Sequence, residues 1–266
     1  MIDPAAQIHP TAIVYDGARI GRNVKVGPFS LVGAEVQLED GVELKSHVVV
    51  KGITSVGAHT RIWPFASVGH QPQDLKYAGE RTELVIGAHN MIRESTSINP
   101  GTAGGGGITT IGDHNLLMLG AHVGHDCRIG NHVVLANNAG IAGHCEIADN
   151  VVVGGQGAVH QFCRVGQGAM IGAVSMATAD VIPFGMVVGN RGKLVGLNIV
   201  GLRRRGVQRA GLQQIRAAYQ AIFHDGAGTL AERTAQAGRD YPDNEHVQQM
   251  VRFLTAGSDR SISTPG

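Results

Sequence analysis

Apolar residues recur at every sixth position through most of the chain that precedes Gly189. One run extends from Ile8 to Val68, a short run begins at Ile86, and a third, of eleven apolar positions, extends from Ile111 to Ile171. Strict alternation would predict ordinary half-buried strands, and a period of about 3.6 would predict a helix. A period of six instead predicts short parallel strands joined by bends, each pointing one apolar residue into a narrow core. The pattern therefore indicates a mainly-β solenoid.

Two stretches interrupt this pattern and are predicted to be loops. The first, residues 69–85, carries a dense polar group that includes Gln73, Asp74 and Lys76, and the second, residues 99–110, contains four consecutive glycines. Long loops in a compact solenoid are more often functional than accidental, although a solvated loop is the simpler interpretation. The glycine run lacks the Lys-Ser/Thr pair of a phosphate loop and does not join a strand to a helix. The first loop is the stronger functional candidate.

Beyond Gly189 the apolar spacing becomes helical. Helices are predicted over 198–205, around 212–222, from Thr229, whose partner Glu232 completes a capping box, and after Pro242. We therefore expect residues 1–190 to form the solenoid with its two loops, and residues 191–266 to form a small α-helical C-terminal domain. The polar tail from Gly257 is expected to be loose.

Charge and composition exclude several classes of protein. The 266 residues carry 22 basic and 21 acidic side chains, whereas a nucleic-acid binder usually has a basic excess. The N-terminus does not resemble a signal peptide, and no apolar run approaches the roughly 20 residues that span a bilayer. We expect a cytoplasmic protein that binds no nucleic acid and has no stable membrane insertion. Cys127, Cys145 and Cys163, spaced 18 apart, are expected to be inward-pointing free thiols.

Four histidines are expected to converge on one strip of the solenoid. If three hexads make one coil, residues 18 apart stack about 4.8 Å from one another, as neighbouring strands do. Positions 123, 141 and 159 would then share a corner, and four imidazoles lie near that corner. They are His122, His125, His144 and His160. Histidine has the pKa that suits a general base near neutral pH.

Outward positions of successive coils also form ladders. An apolar ladder is predicted from Leu116, Val134, Val152 and Met170, and a polar one from Thr110, Arg128, Glu146 and Arg164. An exposed apolar stripe usually marks a partner surface, and self-association is the simplest candidate. The run Arg203, Arg204 and Arg205 suits either solvent or a phosphate group.

Several motifs together resemble one enzyme family. They are QDLKYAGE from residue 73, HVGHD from residue 122, HQF from residue 160 and GLNIVGLRRRG from residue 196. Over nearly its whole length the chain resembles the UDP-N-acetylglucosamine O-acyltransferases that begin lipid A synthesis. The resemblance implies a left-handed parallel β-helix, an exception to the right-handed crossover rule, followed by a small α-helical C-terminal domain. It also implies a homotrimer with active sites between subunits, and transfer of an (R)-3-hydroxyacyl group from acyl carrier protein to the sugar 3-hydroxyl of UDP-N-acetylglucosamine.

The resemblance also assigns roles to individual residues. His125 would be the general base, Asp126 would hold its tautomer, and the backbone N–H of Gly143 would stabilise the oxyanion. The residues that would position the substrate are Gln73, Asp74, Lys76, His122, His144, His160 and Gln161. Those that would face the nucleotide phosphates or the carrier's phosphopantetheine are Asn198, Arg204 and Arg205.

The resemblance also implies that the coils beyond the catalytic one measure the length of the acyl chain. Position 173 is 48 positions after His125, which at about 4.8 Å per 18-residue coil is roughly 13 Å along the axis. Ala173 is small and would floor a groove for a medium or long chain, with Ala169 and Gly168 lining the approach. A small residue that simply completes a hexad corner fits the sequence equally well. No metal and no cofactor are expected beyond the phosphopantetheine of the acyl carrier protein.

Two other functions fit parts of the same pattern. A γ-class carbonic-anhydrase-like metal enzyme also uses histidines on a left-handed β-helix, but its histidine pair is spaced more widely than H-x-x-H. A non-enzymatic trimeric scaffold leaves the polar loop and the arginine run unexplained. The related N-acyltransferase of the same pathway carries an extra N-terminal domain, whereas these coils begin by residue 8.

Overall fold

The computed structural model describes residues 1–224 and 227–266. The six-residue pattern folds into short strands, most of them two residues long, in which the second residue is buried. In chain order they are β1 (Gln7–Ile8), β2 (Ile13–Val14), β3 (Arg19–Ile20), β4 (Lys25–Val26), β5 (Leu31–Val32), β6 (Val36–Leu38), β7 (Glu43–Leu44), β8 (Val49–Val50), β9 (Ile53–Val56), β10 (Arg61–Ile62), β11 (Ser67–Val68), β12 (Glu83–Ile86), β13 (Met91–Ile92), β14 (Ser97–Ile98), β15 (Ile108–Ile111), β16 (Leu116–Leu117), β17 (His122–Val123), β18 (Arg128–Ile129), β19 (Val134–Leu135), β20 (Gly140–Ile141), β21 (Glu146–Ile147), β22 (Val152–Val153), β23 (Ala158–Val159), β24 (Arg164–Val165), β25 (Met170–Ile171), β26 (Met176–Ala177), β27 (Gly185–Val188) and β28 (Lys193–Leu197).

Through most of the coil, every third strand pairs in parallel, so the chain winds into a left-handed β-helix with three flat faces. Sheet 1 begins with β1, sheet 2 with β2 and sheet 3 with β3, and the final pair, β27 with β28, is antiparallel. The chain turns at three edges, named here for the sheets that they join: the 1–2, 2–3 and 3–1 edges. Both ladders predicted from sequence are confirmed, the apolar one on sheet 1 and the polar one on sheet 3. The fold class expected from the sequence is confirmed.

The core is a column of inward side chains that repeats every coil. Ile141, Leu135 and Val153 are fully buried, and so are the small residues that alternate with them. Cys127, Cys145 and Cys163 are free and buried, as predicted. Burial raises the pKa of the Cys163 thiol to about 12. Buried thiols of this kind are inert, which fits a packing role.

The corners lie elsewhere than expected. Positions 123, 141 and 159 are on the flat strands of sheet 2, and the 2–3 edge turns two to three residues later, at 125–126, 143–144 and 161–162. The second residue of these turns has a left-handed backbone, with φ of 60° at Asp126 and 61° at His144. Asp, Asn and His tolerate this conformation better than most residues. The histidines therefore do not form one strip.

Both long loops leave the helix at the 2–3 edge. They occupy residues 69–82, between β11 and β12, and residues 99–107, between β14 and β15. Residues 83–85 and 108–110, predicted to be loop, are strand residues, because the four-residue strands β12 and β15 pair with each other and β12 also pairs with β9. A short 3₁₀ turn, Ala103–Gly105, lies inside the second loop.

The C-terminal part is helical but tied to the coil at both ends. Its helices are α1 (Ile199–Arg204), α2 (Arg209–Phe223), α3 (Leu230–Asp240) and α4 (Glu245–Thr255), and the predicted capping box at Thr229 is present. Strand β28 carries sheet pairing past residue 190. The prediction of a loose tail is wrong for residues 261–263. The Ser263 N–H donates to the Asp180 carbonyl (2.8 Å), and Ser263 is buried. Among the described residues, no helix is long and apolar enough to span a bilayer.

Candidate active site

A buried carboxylate orients the imidazole of its chain neighbour at the 2–3 edge. His125 Nδ1 lies 2.7 Å from Asp126 Oδ2, and the Asp126 side chain is 0% exposed. An ionised carboxylate only accepts hydrogen bonds, so the proton of this contact belongs on His125 Nδ1. The other ring nitrogen, Nε2, is thereby left with a lone pair. This is the tautomer that a general base requires.

The second loop holds Asp126 from the opposite side. Thr102 donates hydrogen bonds from its backbone N–H to Asp126 Oδ1 and from its hydroxyl to Asp126 Oδ2, each with a length of 2.7 Å. A Cβ placed on Gly105 would collide with the same carboxylate. Glycine at 105 therefore lets the loop backbone lie directly on the carboxylate, and the glycine-rich run, judged weak from sequence, has a structural reason.

Gly143 lies against the free edge of the His125 ring. A Cβ on Gly143 would lie 2.7 Å from His125 Nε2 and 2.7 Å from Cε1, so the ring reaches this position only because residue 143 has no side chain. Among the described residues, nothing accepts a hydrogen bond from the Gly143 N–H. At the 3–1 edge the matching N–H of Asn131 donates to Asp149 Oδ1 over 2.7 Å. The N–H of Gly143 is thus a donor beside the ring nitrogen.

His144 and Phe162 continue the 2–3 edge below His125. The ring of His144 meets His125 edge-on at 4.9 Å and stacks face to face on Phe162 at 4.4 Å. Burial lowers the pKa of His144, against the opposing effect of Asp126. His144 is therefore mainly neutral near pH 7 and can accept or donate a hydrogen bond.

The first loop folds over this edge and encloses a pocket. The pocket, of about 340 Å³, is lined by Asp74, Lys76, Thr102, His144 and Phe162 among others. Glu80 connects the two loops, because its Oε1 accepts the Ala103 N–H over 3.2 Å. Backbone N–H groups of Glu80 itself and of Ala78 and Ala103 hold the pKa of Glu80 below its usual value. Gln73 belongs to the first loop and is exposed.

The other predicted site residues, His122, His160 and Gln161, lie outside the cluster formed by His125, Asp126 and His144. His122 is on the outer face of sheet 2, where its Nδ1 lies 2.8 Å from the hydroxyl of Ser97, and burial lowers its pKa. His160 is next to the turn and contacts the Gln161 carbonyl over 3.3 Å. Gln161 is exposed at the edge directly below Gly143. Ser97, like Thr102 and Phe162, was not singled out from the sequence.

The predicted phosphate-contacting residues lie at a different edge of the same chain. Asn198 is a buried helix cap: its Oδ1 accepts the Gly201 N–H (2.9 Å) and its amide donates to the Gly168 carbonyl (3.0 Å). Arg205 packs against Gly168 and Phe184 at the 3–1 edge, and Arg204 is exposed. Within one chain these residues are not brought to His125.

The chain-length residues separate into three environments. Ala173 is exposed at a turn of the 1–2 edge. Ala169 is fully buried in the core, so its methyl group cannot line an outer groove, and that prediction is wrong. Gly168 is in a turn of the 3–1 edge, where a Cβ would collide with Arg205, so it does not lie beside Ala173 either. Of the three, only Ala173 offers a surface to an acyl chain.

Three possible metal ligands also lie in the cluster. Single ligand atoms of His125, Asp126 and His144 are all within 4.8 Å of one another. Both Asp126 oxygens, however, already accept hydrogen bonds from Thr102, and His125 presents its protonated nitrogen to the same carboxylate. A cation there would have to displace these bonds, and a catalytic zinc site needs three free converging ligands. The donor set fits a hydrogen-bonded base better than a metal centre.

Comparisons with known proteins agree along the whole chain. The family described as UDP N-acetylglucosamine O-acyltransferase, domain 2, matches residues 180–263, and the bacterial transferase hexapeptide family matches residues 17–52 and 108–143. The acyl-[acyl-carrier-protein]–UDP-N-acetylglucosamine O-acyltransferase of Rickettsia canadensis (strain McKiel) is 56% identical over 257 residues, which cover 97% of each chain.

Solved structures extend this likeness to the fold. LpxA from Acinetobacter baumannii is 40% identical with a TM-score of 0.88 and covers 98% of this chain and 99% of its own. UDP-N-acetylglucosamine acyltransferase from Campylobacter jejuni is 36% identical with a TM-score of 0.92, covering 98% and 100%. Since both identity and fold hold over nearly the full length, this chain belongs to the acyl-[acyl-carrier-protein]–UDP-N-acetylglucosamine O-acyltransferase family.

Proposed function

We propose that this protein transfers an (R)-3-hydroxyacyl group from acyl carrier protein to the 3-hydroxyl of UDP-N-acetylglucosamine, the first step of lipid A synthesis. The names of its relatives give the donor carrier and the acceptor. The observation that carries the mechanism is the 2.7 Å contact between His125 Nδ1 and Asp126. It leaves Nε2 free beside a backbone N–H, which is the pairing that acyl transfer to an alcohol needs.

His125 acts as the general base in this proposal. A sugar hydroxyl is a poor nucleophile near neutral pH, so Nε2 takes its proton as the oxygen attacks the thioester carbonyl. Asp126 stabilises the imidazolium that forms. The Gly143 N–H donates to the oxyanion of the tetrahedral intermediate. When the intermediate collapses, the C–S bond breaks, and the departing phosphopantetheine sulfur takes the proton from Nε2.

The pocket beside His144 receives the acceptor sugar. Asp74 and Lys76 offer one acceptor and one charged donor on the loop side, and neutral His144 offers a polar edge on the other. Four further residues from the sequence prediction are proposed to complete the contacts at its rim. They are Gln73, His122, His160 and Gln161.

The complete site forms between subunits of a homotrimer. Asn198, Arg204 and Arg205 lie at the 3–1 edge, whereas His125 lies at the 2–3 edge, so only a neighbouring chain can bring the two sets together. The half-buried apolar ladder of sheet 1 supplies a surface for that contact. Because Asn198 is already engaged as a helix cap, Arg204 and Arg205 are the stronger candidates for phosphate contacts.

Ala173 is proposed to limit the acyl chain, also across subunits. It is exposed at the 1–2 edge and follows Met170 of the apolar ladder, so a groove between two chains can end there. Ala173→Met should shift preference toward shorter hydroxyacyl donors, because a larger side chain fills the end of the groove. Rates across a series of donor lengths test this, and an unchanged optimum contradicts it.

The enzyme works in the cytoplasm, without a cofactor other than the carrier's phosphopantetheine. Residues 1–190 form the domain that holds the catalytic edge, and residues 191–266 form the helical domain that carries the arginines.

Turnover of purified protein tests the proposed reaction. Incubation with (R)-3-hydroxyacyl carrier protein and UDP-N-acetylglucosamine should give a product whose mass increases by one hydroxyacyl group, together with free carrier thiol. Absence of that product with every donor length contradicts the proposal. Stoichiometric zinc, with activity lost on chelation and restored by zinc, would instead favour the metal enzyme suggested by His125, Asp126 and His144.

A further inference from the structure

The end of the chain returns to the 2–3 edge, one coil below Phe162. Val181 forms a parallel bridge with Val165 of sheet 3, so Asp180 lies beside this edge. The Asp180 N–H donates to the Ser261 carbonyl over 2.8 Å, and the Ser263 N–H donates back to the Asp180 carbonyl. Residues 261–263 are thus fixed to the coil, and the residue before them, Arg260, is held at the same edge as His125.

Arg260 extends the column of rings below His125. Its guanidinium carbon lies 5.9 Å from the centre of the Phe162 ring, and Phe162 stacks on His144. Within residues 1–224 and 227–266, no carboxylate forms an ion pair with this guanidinium. The nearby Asp180 is paired with Arg164 instead, at a distance of 2.8 Å. An arginine with five donors and no anionic partner, packed against a ring that lines the proposed substrate pocket, is suited to bind an anion.

Distance along the edge identifies which anion fits. The upper end of the edge is closed, because Thr102 and Gly105 lie directly on Asp126. A substrate at His125 therefore extends downward, past Gly143 and Phe162. Phe162, against which the Arg260 guanidinium packs, lies about two coils below His125, or roughly 10 Å. In a hexose 1-diphosphate, about five bonds separate the 3-oxygen from the first phosphorus, which puts the two phosphates roughly 6–9 Å from that oxygen.

We propose that Arg260 is a binding residue for phosphate-ester oxygens of the substrate. This inference rests on the proposed function and adds to it a subsite supplied by the C-terminal tail of the chain that supplies His125. The guanidinium fork binds two phosphate oxygens at once. Two substrates carry such a group: the sugar nucleotide has a diphosphate, and the acyl carrier has a phosphodiester. The geometry favours the diphosphate.

Arg260→Met tests the subsite by the kinetics of each substrate separately. Loss of one charged hydrogen-bonding partner should raise the KM for UDP-N-acetylglucosamine about tenfold or more, with little change in kcat. Arg260→Lys keeps the charge but not the fork, so its KM for UDP-N-acetylglucosamine should lie between those of wild type and Arg260→Met. The difference in KM between wild type and Arg260→Met should become smaller as the salt concentration rises. Arg239→Met is the matched control, since Arg239 is an exposed arginine of α3.

The outcomes show which substrate supplies the phosphate, and they distinguish failure of the subsite from failure of the proposed function. A rise in KM for the sugar nucleotide assigns Arg260 to the diphosphate, and a rise for the acyl carrier alone assigns it to the phosphodiester. Unchanged KM values for both substrates overturn the subsite, as does an equal rise in Arg239→Met. If wild-type protein gives no product, the proposed function has failed; if it does and Arg260→Met matches it, only the subsite has failed.

Discussion

His125 and Asp126 are neighbours in sequence, yet their side chains form a hydrogen bond. In an extended strand, successive side chains point to opposite faces. The left-handed backbone of Asp126, with φ of 60°, breaks that alternation and turns its carboxylate back toward the imidazole. Thr102 then stabilises the strained turn by satisfying both carboxylate oxygens. The orientation of the proposed base thus depends on one backbone conformation and one loop residue.

Gly143→Ala should reduce kcat/KM roughly 100-fold, because the new methyl group would displace the His125 ring from its position beside the N–H. Steady-state kinetics with both substrates give this value. Gly140→Ala is the matched control: a Cβ there meets nothing within 4 Å, so its activity should stay within about twofold of wild type. Similar activities of the two variants would contradict the assigned position of the ring.

Partly buried histidines should make the protein less stable in mild acid. Burial and the nearby Arg205 lower the pKa of His246 from its ordinary value of 6.5. Because the unfolded chain then binds the proton more readily, stability falls as pH drops through 6.5 and below. His246→Asn should therefore lose less stability than wild type between pH 7.5 and 5.5. Thermal midpoints across that range measure it, and parallel curves would contradict the linkage.

The two loops act together, although they leave the coil from different turns. Glu80 of the first loop binds Ala103 of the second, and Thr102 of the second binds Asp126. Glu80 is thus connected, through Ala103 and its chain neighbour Thr102, to Asp126, the residue that orients His125. The loops therefore close the upper end of the pocket and position its base.

Gly105→Ala should reduce activity about tenfold or more, because its methyl group would push the second loop away from Asp126 and break the Thr102 hydrogen bonds. Since the defect is in the orientation of His125, kcat should fall more than KM rises. Gly140→Ala, where a Cβ meets nothing within 4 Å and which does not line the pocket, is again the control. Wild-type kcat in both variants would show that the loop does not position the base.

The strands were predictable from the sequence, whereas the role of the second loop was not. One apolar residue in six is enough to predict a short strand, because each coil repeats the same burial. Thr102 and Asp126 lie in different coils, and no periodicity connects them. The polar tail looked loose for a similar reason: Asp180, the partner of Ile262, comes far earlier in the chain, before all four helices.

The hexad pattern also predicts which side chains point inward, and it would have placed the Ala169 side chain in the core. That residue lies six positions after Cys163, in the phase already assigned to the inward thiols, and it is fully buried as they are. His122 and His160 are a different case. Their assignment to one strip assumed a corner at positions 123 and 141, whereas the turn falls two residues after each of these, and spacing alone does not fix where a turn begins.

The three edges of the molecule determine which residues can act within one chain. His125, His144, Phe162 and Arg260 share the 2–3 edge, whereas Arg205 and Ala173 lie at the other two. The 2–3 edge of a single subunit therefore carries the proposed base, the proposed oxyanion donor and Arg260, but not Arg204, Arg205 or the proposed end of the acyl groove. Assembly through the apolar ladder would bring these edges together.

Val134→Asp combined with Val152→Asp should dissociate the proposed trimer, because two carboxylates would be buried in an apolar contact without partners. Sedimentation should show a species of one-third the mass, and acyl transfer should fall with it. Replacing both valines with threonine, which keeps the side-chain shape without charge, is the control. A trimer that persists with both aspartates would mean that the ladder faces something else.

Replacement of the proposed base tests the mechanism most directly. The measurement is kcat/KM for hydroxyacyl transfer to UDP-N-acetylglucosamine by His125→Ala, beside wild type, at the same oligomeric state and thermal midpoint. We expect a loss of roughly 10²–10⁴-fold, the usual contribution of a positioned general base. A folded His125→Ala protein that transfers at the wild-type rate would contradict the assignment of His125 as the base.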